Sequence, residues 1–270
     1  MGYNYLNNVE LDTALKLYLE AISKSGLSPK VEEISVTDAL GRITAEAVYA
    51  KISSPHYNAC AMDGIAVRAR DTFGATETTP AFLKEGHDFS WVDTGDPLPE
   101  EADAVVMVED VIQAGEGTIK LLNAATPWQH VRQIGEDICA GEMVLASNTK
   151  IEPAAIGALL AAGVTWLLVR QKALVGLIPT GDELVPPSDH PPEGKILEFN
   201  SAVFSAMLTG WGASPRIYAM TPDNLGAIIE IIKQASAECD MVIVNAGSSA
   251  GREDFTAKAI GAIGEVLVHG

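Results

Sequence analysis

The sequence predicts a multidomain α/β protein in which a β-rich insert precedes a doubly wound parallel sheet. Three features predict it: an amphipathic helix near the start, short β-branched runs separated by Gly and Pro from about 54 to 135, and regular strand and helix alternation after Lys172. With 270 residues, the chain is long enough for two or three domains.

The first element is a helix with an apolar stripe. Leu11, Leu15, Tyr18 and Ile22 recur at helical spacing, and Gly26 is placed to end the helix. We therefore expect a packed helix at the start of the chain. The segment from 31 to 53 then reads as a short strand, a helical turn at 38–41 and an extended exit.

The insert is expected to contain strands at 104–112 and 118–122, joined by a turn at 114–117. Asp63-Gly64 stands between apolar residues, which locally predicts a hairpin turn. After it, a further strand, a helix opening at Glu152-Pro153 and a strand at 165–169 return the chain to mixed structure.

The last hundred residues alternate between buried strands and helices. Such alternation predicts a parallel sheet with right-handed crossovers. The expected strands are 173–179, 216–220, 240–245 and 265–269, and the expected helices begin near 201, 223 and 254. Because the last strand has no helix after it, we expect the natural protein to continue beyond Gly270.

Composition excludes several partner classes. The net charge of −18 repels polyanions, so nucleic acid and anionic membranes are not expected partners. Three widely spaced cysteines, with no C-x-x-C pair, suggest neither a disulfide framework nor a zinc site, which fits a reducing cytoplasm. We expect neither a secretion signal nor a membrane span.

Two loops carry the candidate chemistry, at 179–184 and 245–254. Both follow predicted strands of the parallel sheet, where open α/β sheets bind ligands. Each combines Gly, whose backbone lets N–H groups approach an anion, with carboxylates suited to a divalent cation. The alternative is structural: the glycines make tight turns, and Asp182 and Asp254 cap helices.

A serine hydrolase is a further alternative. The second loop fits G-x-S-x-G with Ser249 in the nucleophile position between a strand and a helix. A hydrolase also needs an acid and a histidine later in the chain, where only His269 remains.

Six segments, in order, resemble one family. They are Ser54-Pro55 through Ala61-Met62-Asp63-Gly64, Thr94 to Pro99, Ala104 to Met107, Arg132 to Gly141, Pro179 to Leu184 with Gly194 to Ser201, and Asp240 to Asp254. Together they resemble the molybdopterin molybdenumtransferase family, which includes MoeA and the gephyrin E-domain. Cys60 stands where the family usually has serine, and Ile65 where it has an aromatic residue.

The resemblance implies a domain organisation and a reaction. It implies a first domain of 1–53 and 139–172, an inserted β-rich domain of 54–138, and a molybdopterin-binding-like α/β domain of 173–270 that is incomplete at its C-terminal end. It also implies a cytoplasmic homodimer with a shared active site, which inserts molybdate into adenylated molybdopterin and releases AMP with Mg²⁺. The family's anion-binding lysine segment would lie beyond Gly270, so this chain alone is not expected to be fully active. A non-catalytic, gephyrin-like scaffold module is the alternative.

The resemblance also implies roles for individual residues. Asp63, Glu183 and Asp254 would be catalytic, and Glu183 and Asp254 would hold the metal. Asp63 and Thr94 would form the opposite wall of the cleft from these two. The substrate-binding group would be Thr94, Gly181, Asp182, Asp223, Gly247, Ser248, Ser249 and Gly251.

Overall fold

The computed structural model describes residues 9–26, 28–246 and 255–268. By its internal contacts the chain divides into two compact units, one of residues Glu33–Val169 and one of Met1–Glu32 with Arg170–Gly270. The three domain boundaries expected from the resemblance remain a prediction.

The elements of the first 170 residues are one longer helix, many short strands and one shorter helix. In chain order they are α1 (Leu11–Lys24), β1 (Val31–Ser35), β2 (Val48–Tyr49), β3 (Ala59–Cys60), β4 (Gly64–Val67), β5 (Ala81–Lys84), β6 (Phe89–Val92), β7 (Ala104–Met107), β8 (Ile112–Gly115), β9 (Thr118–Leu121), β10 (Val131–Arg132), β11 (Met143–Leu145), α2 (Pro153–Ala161) and β12 (Trp166–Arg170).

The remaining elements alternate as the sequence predicts, with one exception. They are β13 (Leu174–Pro179), β14 (Leu184–Val185), β15 (Ile196–Leu197), α3 (Asn200–Gly210), β16 (Ser214–Ile217), α4 (Leu225–Glu238), β17 (Met241–Asn245) and α5 (Phe255–Ile263). The exception is two short strands not predicted, β14 and β15, which precede α3.

The unit Glu33–Val169 contains two three-stranded antiparallel sheets. β4 lies between β6 and β7, and β9 lies between β5 and β8. Both sheets bury side chains in one core, which includes Ile65, Phe89, Ile119 and Leu121. A separate core packs around Leu159 of α2. The predicted β-rich texture and the helix after Glu152 are both confirmed.

The other unit contains the parallel sheet, with β13 between β16 and β17. Val175 and Leu177 of β13 pack with Leu208 of α3, whereas Ile178 packs with residues of α4 and α5. Successive side chains of a strand point to opposite faces of the sheet. The sheet therefore carries α3 on one face and α4 and α5 on the other. The doubly wound α/β prediction is confirmed.

Three predicted strand features are wrong. The strand expected at 104–112 is interrupted by a 3₁₀ helical turn at Val108–Asp110, which separates β7 from β8. β3 pairs with β10, while β4 pairs with β6 and β7, so Asp63-Gly64 leads into a central strand instead of closing a hairpin. Residues 265–268 are not a strand, although Val266 and Leu267 are apolar. A strand requires a hydrogen-bonded neighbour, and an apolar run cannot supply one by itself.

The first helix has the predicted bounds but not the predicted packing. None of its residues is buried, and Leu11 and Leu19 are 80% and 54% exposed. Its apolar stripe therefore faces outward in the single chain. Among the described residues, no helix is both long and apolar enough to cross a membrane.

Candidate functional site

Asp63 and Thr94 form a tight pair in the β-rich unit. The backbone N–H and the hydroxyl of Thr94 both donate to Oδ1 of Asp63, each over 2.7 Å. These bonds, the hydroxyl's first and the N–H's second, lower the pKa of Asp63 below its ordinary value because they stabilise the ionised form. The structure thus brings together two of the predicted residues, at an exposed carboxylate whose ionised form is stabilised by two hydrogen bonds.

The register of β4 and β6 places this pair. The two strands are antiparallel and Gly64 is opposite Val92. Asp63, just before Gly64, therefore lies beside the residues that follow Val92, which include Thr94. The backbone N–H of Val108 also donates to the carbonyl oxygen of Asp63 over 2.9 Å. A Cβ at Gly64 would overlap the Val106 carbonyl, so this close strand approach requires glycine.

A cavity of about 500 Å³ opens beside Thr94. Its lining includes Tyr57, Cys60, Arg132 and Asp137. Arg132 donates to both carboxylate oxygens of Asp137, at 3.2 and 3.0 Å. Neither of these two charged residues was selected from the sequence, although both lie in the segment 132–141 that resembles the family.

The Gly181 loop follows β13 at the carboxyl end of the parallel sheet. Thr180 donates its N–H to the carbonyl of Asn245, and Gly181 donates its N–H to the carbonyl of Thr221. The backbone N–H of Asp223 then donates to Oδ1 of Asp182 over 3.3 Å. The loops after β13 and β16 therefore meet, and three predicted binding residues, Gly181, Asp182 and Asp223, come together.

Glu183 lies against the same glycine. A Cβ at Gly181 would stand 3.0 Å from each carboxylate oxygen of Glu183, so glycine makes room for this side chain. Lys195 Nζ donates to the carbonyl oxygen of Asp182 over 2.8 Å, which places a cation at the loop. Sequence reasoning did not select Lys195, whose only signal was its place in the Gly194 to Ser201 segment.

The structure excludes helix capping by Asp182. The residues after it form β14, and the next helix begins only at Asn200. At the start of α4, the capping side chain is that of Asn224, whose Oδ1 accepts from the N–H of Ala227 over 3.1 Å. Asp182 and Asp223 are thus loop carboxylates beside the sheet.

The rest of the predicted site lies outside the described residues. This group is Gly247, Ser248, Ser249, Gly251 and Asp254. In the described ranges, no three His, Cys, Asp or Glu side chains are grouped closely enough to hold a metal ion. The assignment of Glu183 and Asp254 as metal ligands stays a prediction.

Two family models match the chain in sequence. Residues 9–163 match the MoeA N-terminal region (domain I and II), and residues 176–270 match a family described as "Probable molybdopterin binding domain".

Individual relatives agree with these matches. A molybdopterin biosynthesis protein of Methanocaldococcus jannaschii is 32% identical over 280 residues, covering 98% of this chain and 70% of the relative. Molybdopterin molybdenumtransferase 2 of Mycobacterium tuberculosis is 32% identical over 243 residues, covering 84% of this chain and 60% of the relative.

A solved structure shares the fold. The MoeA protein from Pyrococcus horikoshii superposes with a TM-score of 0.83 at 31% identity, covering 97% of this chain and 68% of that protein. The chain thus spans between 60% and 70% of the length of these three relatives. With two family models in order and a shared fold at this identity, the chain belongs to the MoeA family of molybdopterin biosynthesis proteins.

Proposed function

We propose that the protein is a molybdopterin molybdenumtransferase of the cytoplasm, which inserts molybdate into adenylated molybdopterin and releases AMP. The observation that carries this proposal is the meeting of Gly181, Asp182 and Asp223 at the carboxyl end of the parallel sheet. Ligands of open α/β sheets bind at that end. Relatives that bear the name of this enzyme support the reaction class.

Binding of an anionic substrate needs local positive potential in a chain of net charge −18. At the Gly181 loop, Lys195 supplies a cation. A cation at this position would stabilise the negative charge on the phosphate oxygens of the nucleotide. We therefore assign the nucleotide part of the substrate to this loop.

The carboxylates of this loop suit Mg²⁺, which is bound by one or two carboxylates together with substrate phosphates. Glu183 is one such oxygen donor, with its carboxylate against Gly181, and we assign Asp254 as the other. When bound, the ion would stabilise charge on the cleaved pyrophosphate link. In the shared site of the dimer proposed below, Asp63 of one subunit, whose Oδ1 accepts two hydrogen bonds from Thr94, would contribute a further carboxylate.

The test is turnover by the protein at its natural length, supplied with adenylated molybdopterin, molybdate and Mg²⁺. We expect AMP release and metal insertion in equal amounts. Neither product, from a folded protein and intact substrate, would contradict the proposal.

We also propose that the protein is a homodimer with a shared active site. Two helices of the unit Met1–Glu32 with Arg170–Gly270 support an interface. The apolar stripe of α1 is exposed, and Val203, Met207 and Trp211 follow one another at four-residue spacing along α3 and its end, 47%, 42% and 73% exposed. α3 carries no charged residue, so two acidic chains can meet there without strong repulsion. Analytical ultracentrifugation should give twice the chain mass.

Ligand-dependent stabilisation distinguishes the alternatives. AMP with Mg²⁺ should raise the melting temperature of a transferase by mass action. A scaffold module, suggested by the 27% identity to gephyrin of Dictyostelium discoideum, should not respond to this pair. A hydrolase using Ser249 should be labelled by a covalent serine probe.

A further inference from the structure

We propose that the Tyr57 hydroxyl is a positioning group, which holds the loop 93–96 in the conformation in which Thr94 meets Asp63. The inference rests on the proposed function and extends it, because Tyr57 would act on the reaction through Thr94 and Asp63. Its geometry is independent of which substrate the protein uses.

The loop is held at three successive peptide groups. The N–H of Thr94 donates to Asp63 Oδ1, and the N–H of Gly95 donates to the carbonyl of Cys60 over 2.8 Å. The carbonyl of Gly95 accepts from the hydroxyl of Tyr57 over 2.9 Å. Thr94 is therefore fixed on both sides, and Tyr57 supplies one of the side-chain bonds that hold the loop, beside the bond from the N–H of Asp93 to Asp96 Oδ2.

Gly95 is the reason why this bond matters. Its φ of +93° lies in the region that favours glycine, and a Cβ there would meet nothing within 4 Å. Glycine is therefore required here by its backbone conformation and not by a close neighbour. Glycine loses more conformational freedom on folding than any other residue, so a loop that turns on it depends on hydrogen bonds for a single conformation.

Tyr57 is itself held in place. Its ring packs edge to face on the His56 ring, with centroids 4.9 Å apart at 86°. The chain just after it is anchored as well, because Asn58 accepts from the N–H of Ile134 over 3.0 Å and its carbonyl accepts from Leu98. A hydroxyl on a side chain fixed in this way can transmit its position to the Thr94 loop.

Tyr57 also lines the cavity of about 500 Å³ beside Thr94, together with Gly95. Its hydroxyl thus joins a residue of the cavity wall to Gly95, the residue that follows Thr94. Tyr57 does not bond to Asp63 directly, so its effect on the carboxylate must pass through the loop.

The experiment compares Tyr57→Phe with Tyr49→Phe in the protein at its natural length. Both changes remove one phenolic hydroxyl, and Tyr49 is an exposed residue of β2 in the same unit. Nuclear magnetic resonance follows the titration of the Asp63 carboxyl and hydrogen exchange of the Thr94 amide. In Tyr57→Phe we expect the pKa of Asp63 to rise toward its ordinary value and the Thr94 amide to exchange roughly fivefold faster, as for loss of one hydrogen bond. Tyr49→Phe should change neither.

Two results would overturn the positioning role: an unchanged Asp63 titration in Tyr57→Phe, or the same change in both variants. Melting temperatures within a few degrees of the parent establish that both variants are folded. Turnover is measured separately, where Tyr57→Phe should lower kcat roughly tenfold with KM nearly constant. If the titration moves and turnover does not, the positioning role stands and the proposed contribution of Asp63 to the reaction fails.

Discussion

One oxygen of Asp63 accepts two hydrogen bonds from a single residue, the N–H and the hydroxyl of Thr94, each over 2.7 Å. The residues are 31 positions apart in sequence, and the β4 and β6 register joins them. A carboxylate with two donors on one oxygen keeps its second oxygen available to a ligand. The pair therefore combines a fixed position with a second oxygen that accepts no hydrogen bond from the described part of the chain.

The first prediction concerns the charge of Asp63. Thr94→Val removes the hydroxyl and keeps the N–H, so the pKa of Asp63 should rise while staying below its ordinary value. A depressed folded-state pKa contributes stability above the unfolded-state pKa, which is lost as pH falls through the folded-state value. The variant should therefore be less stable than the parent near neutral pH, and the two should converge in acid.

Titration of the Asp63 carboxyl by nuclear magnetic resonance checks this prediction, together with urea unfolding at several pH values. Thr79→Val, an exposed threonine in the same unit, is the control. Equal Asp63 titration in parent and Thr94→Val would show that the hydroxyl bond does not determine the charge.

The second prediction concerns Gly64. Gly64→Ala should lower the free energy of unfolding by about 3 kcal/mol, because the new Cβ overlaps the β7 backbone and β4 must shift. Gly157→Ala in α2 is the matched control, because nothing lies within 4 Å of its added Cβ. That variant should be neutral or more stable by up to about 1 kcal/mol. Urea unfolding measures the free energy of unfolding of both variants. Similar decreases in both would contradict the steric argument.

The third prediction concerns metal-dependent nucleotide binding. Calorimetric titration with AMP should show tighter binding with Mg²⁺ than in EDTA, since protein and ligand are both anionic. Glu183→Gln should reduce the gain due to Mg²⁺, whereas Glu193→Gln, on an exposed stretch of the same unit, should retain it. Equal affinity with and without Mg²⁺ would mean that Glu183 is not a metal ligand.

The fourth prediction concerns the shared site. Asp63→Ala and Asp254→Ala should each inactivate the protein at its natural length, yet complement when unfolded together and refolded. Random pairing makes half of the dimers mixed, and each mixed dimer has one intact site of two, so activity should recover to roughly a quarter. Mixed dimers shown by tagged pull-down, with activity at background, would mean that each chain builds its own site.

The local pattern of the sequence determined most of the elements. Apolar spacing at helical and strand periods predicted the bounds of α1, the start of α2 and, apart from β14 and β15, the strands and helices from β13 to α5, because residues on one face of an element recur at those periods. The order of six motifs identified the family before any pairing was known. The family resemblance selected Asp63 and Thr94, and the glycine-containing loop after a predicted strand selected Asp182.

Only the tertiary structure decided which segments meet. Asp63-Gly64 has the local signal of a hairpin, but β6 and β7 provide its neighbours, so it enters a central strand. Val266, Leu267 and Val268 are apolar and yet form no strand, and the apolar stripe of α1 is exposed. Tyr57, Arg132 and Lys195 acquired their partners only in the folded chain. Side-chain periodicity is a property of neighbours along the chain, whereas strand pairing, burial and loop hydrogen bonds depend on residues brought from far away, which no local pattern specifies.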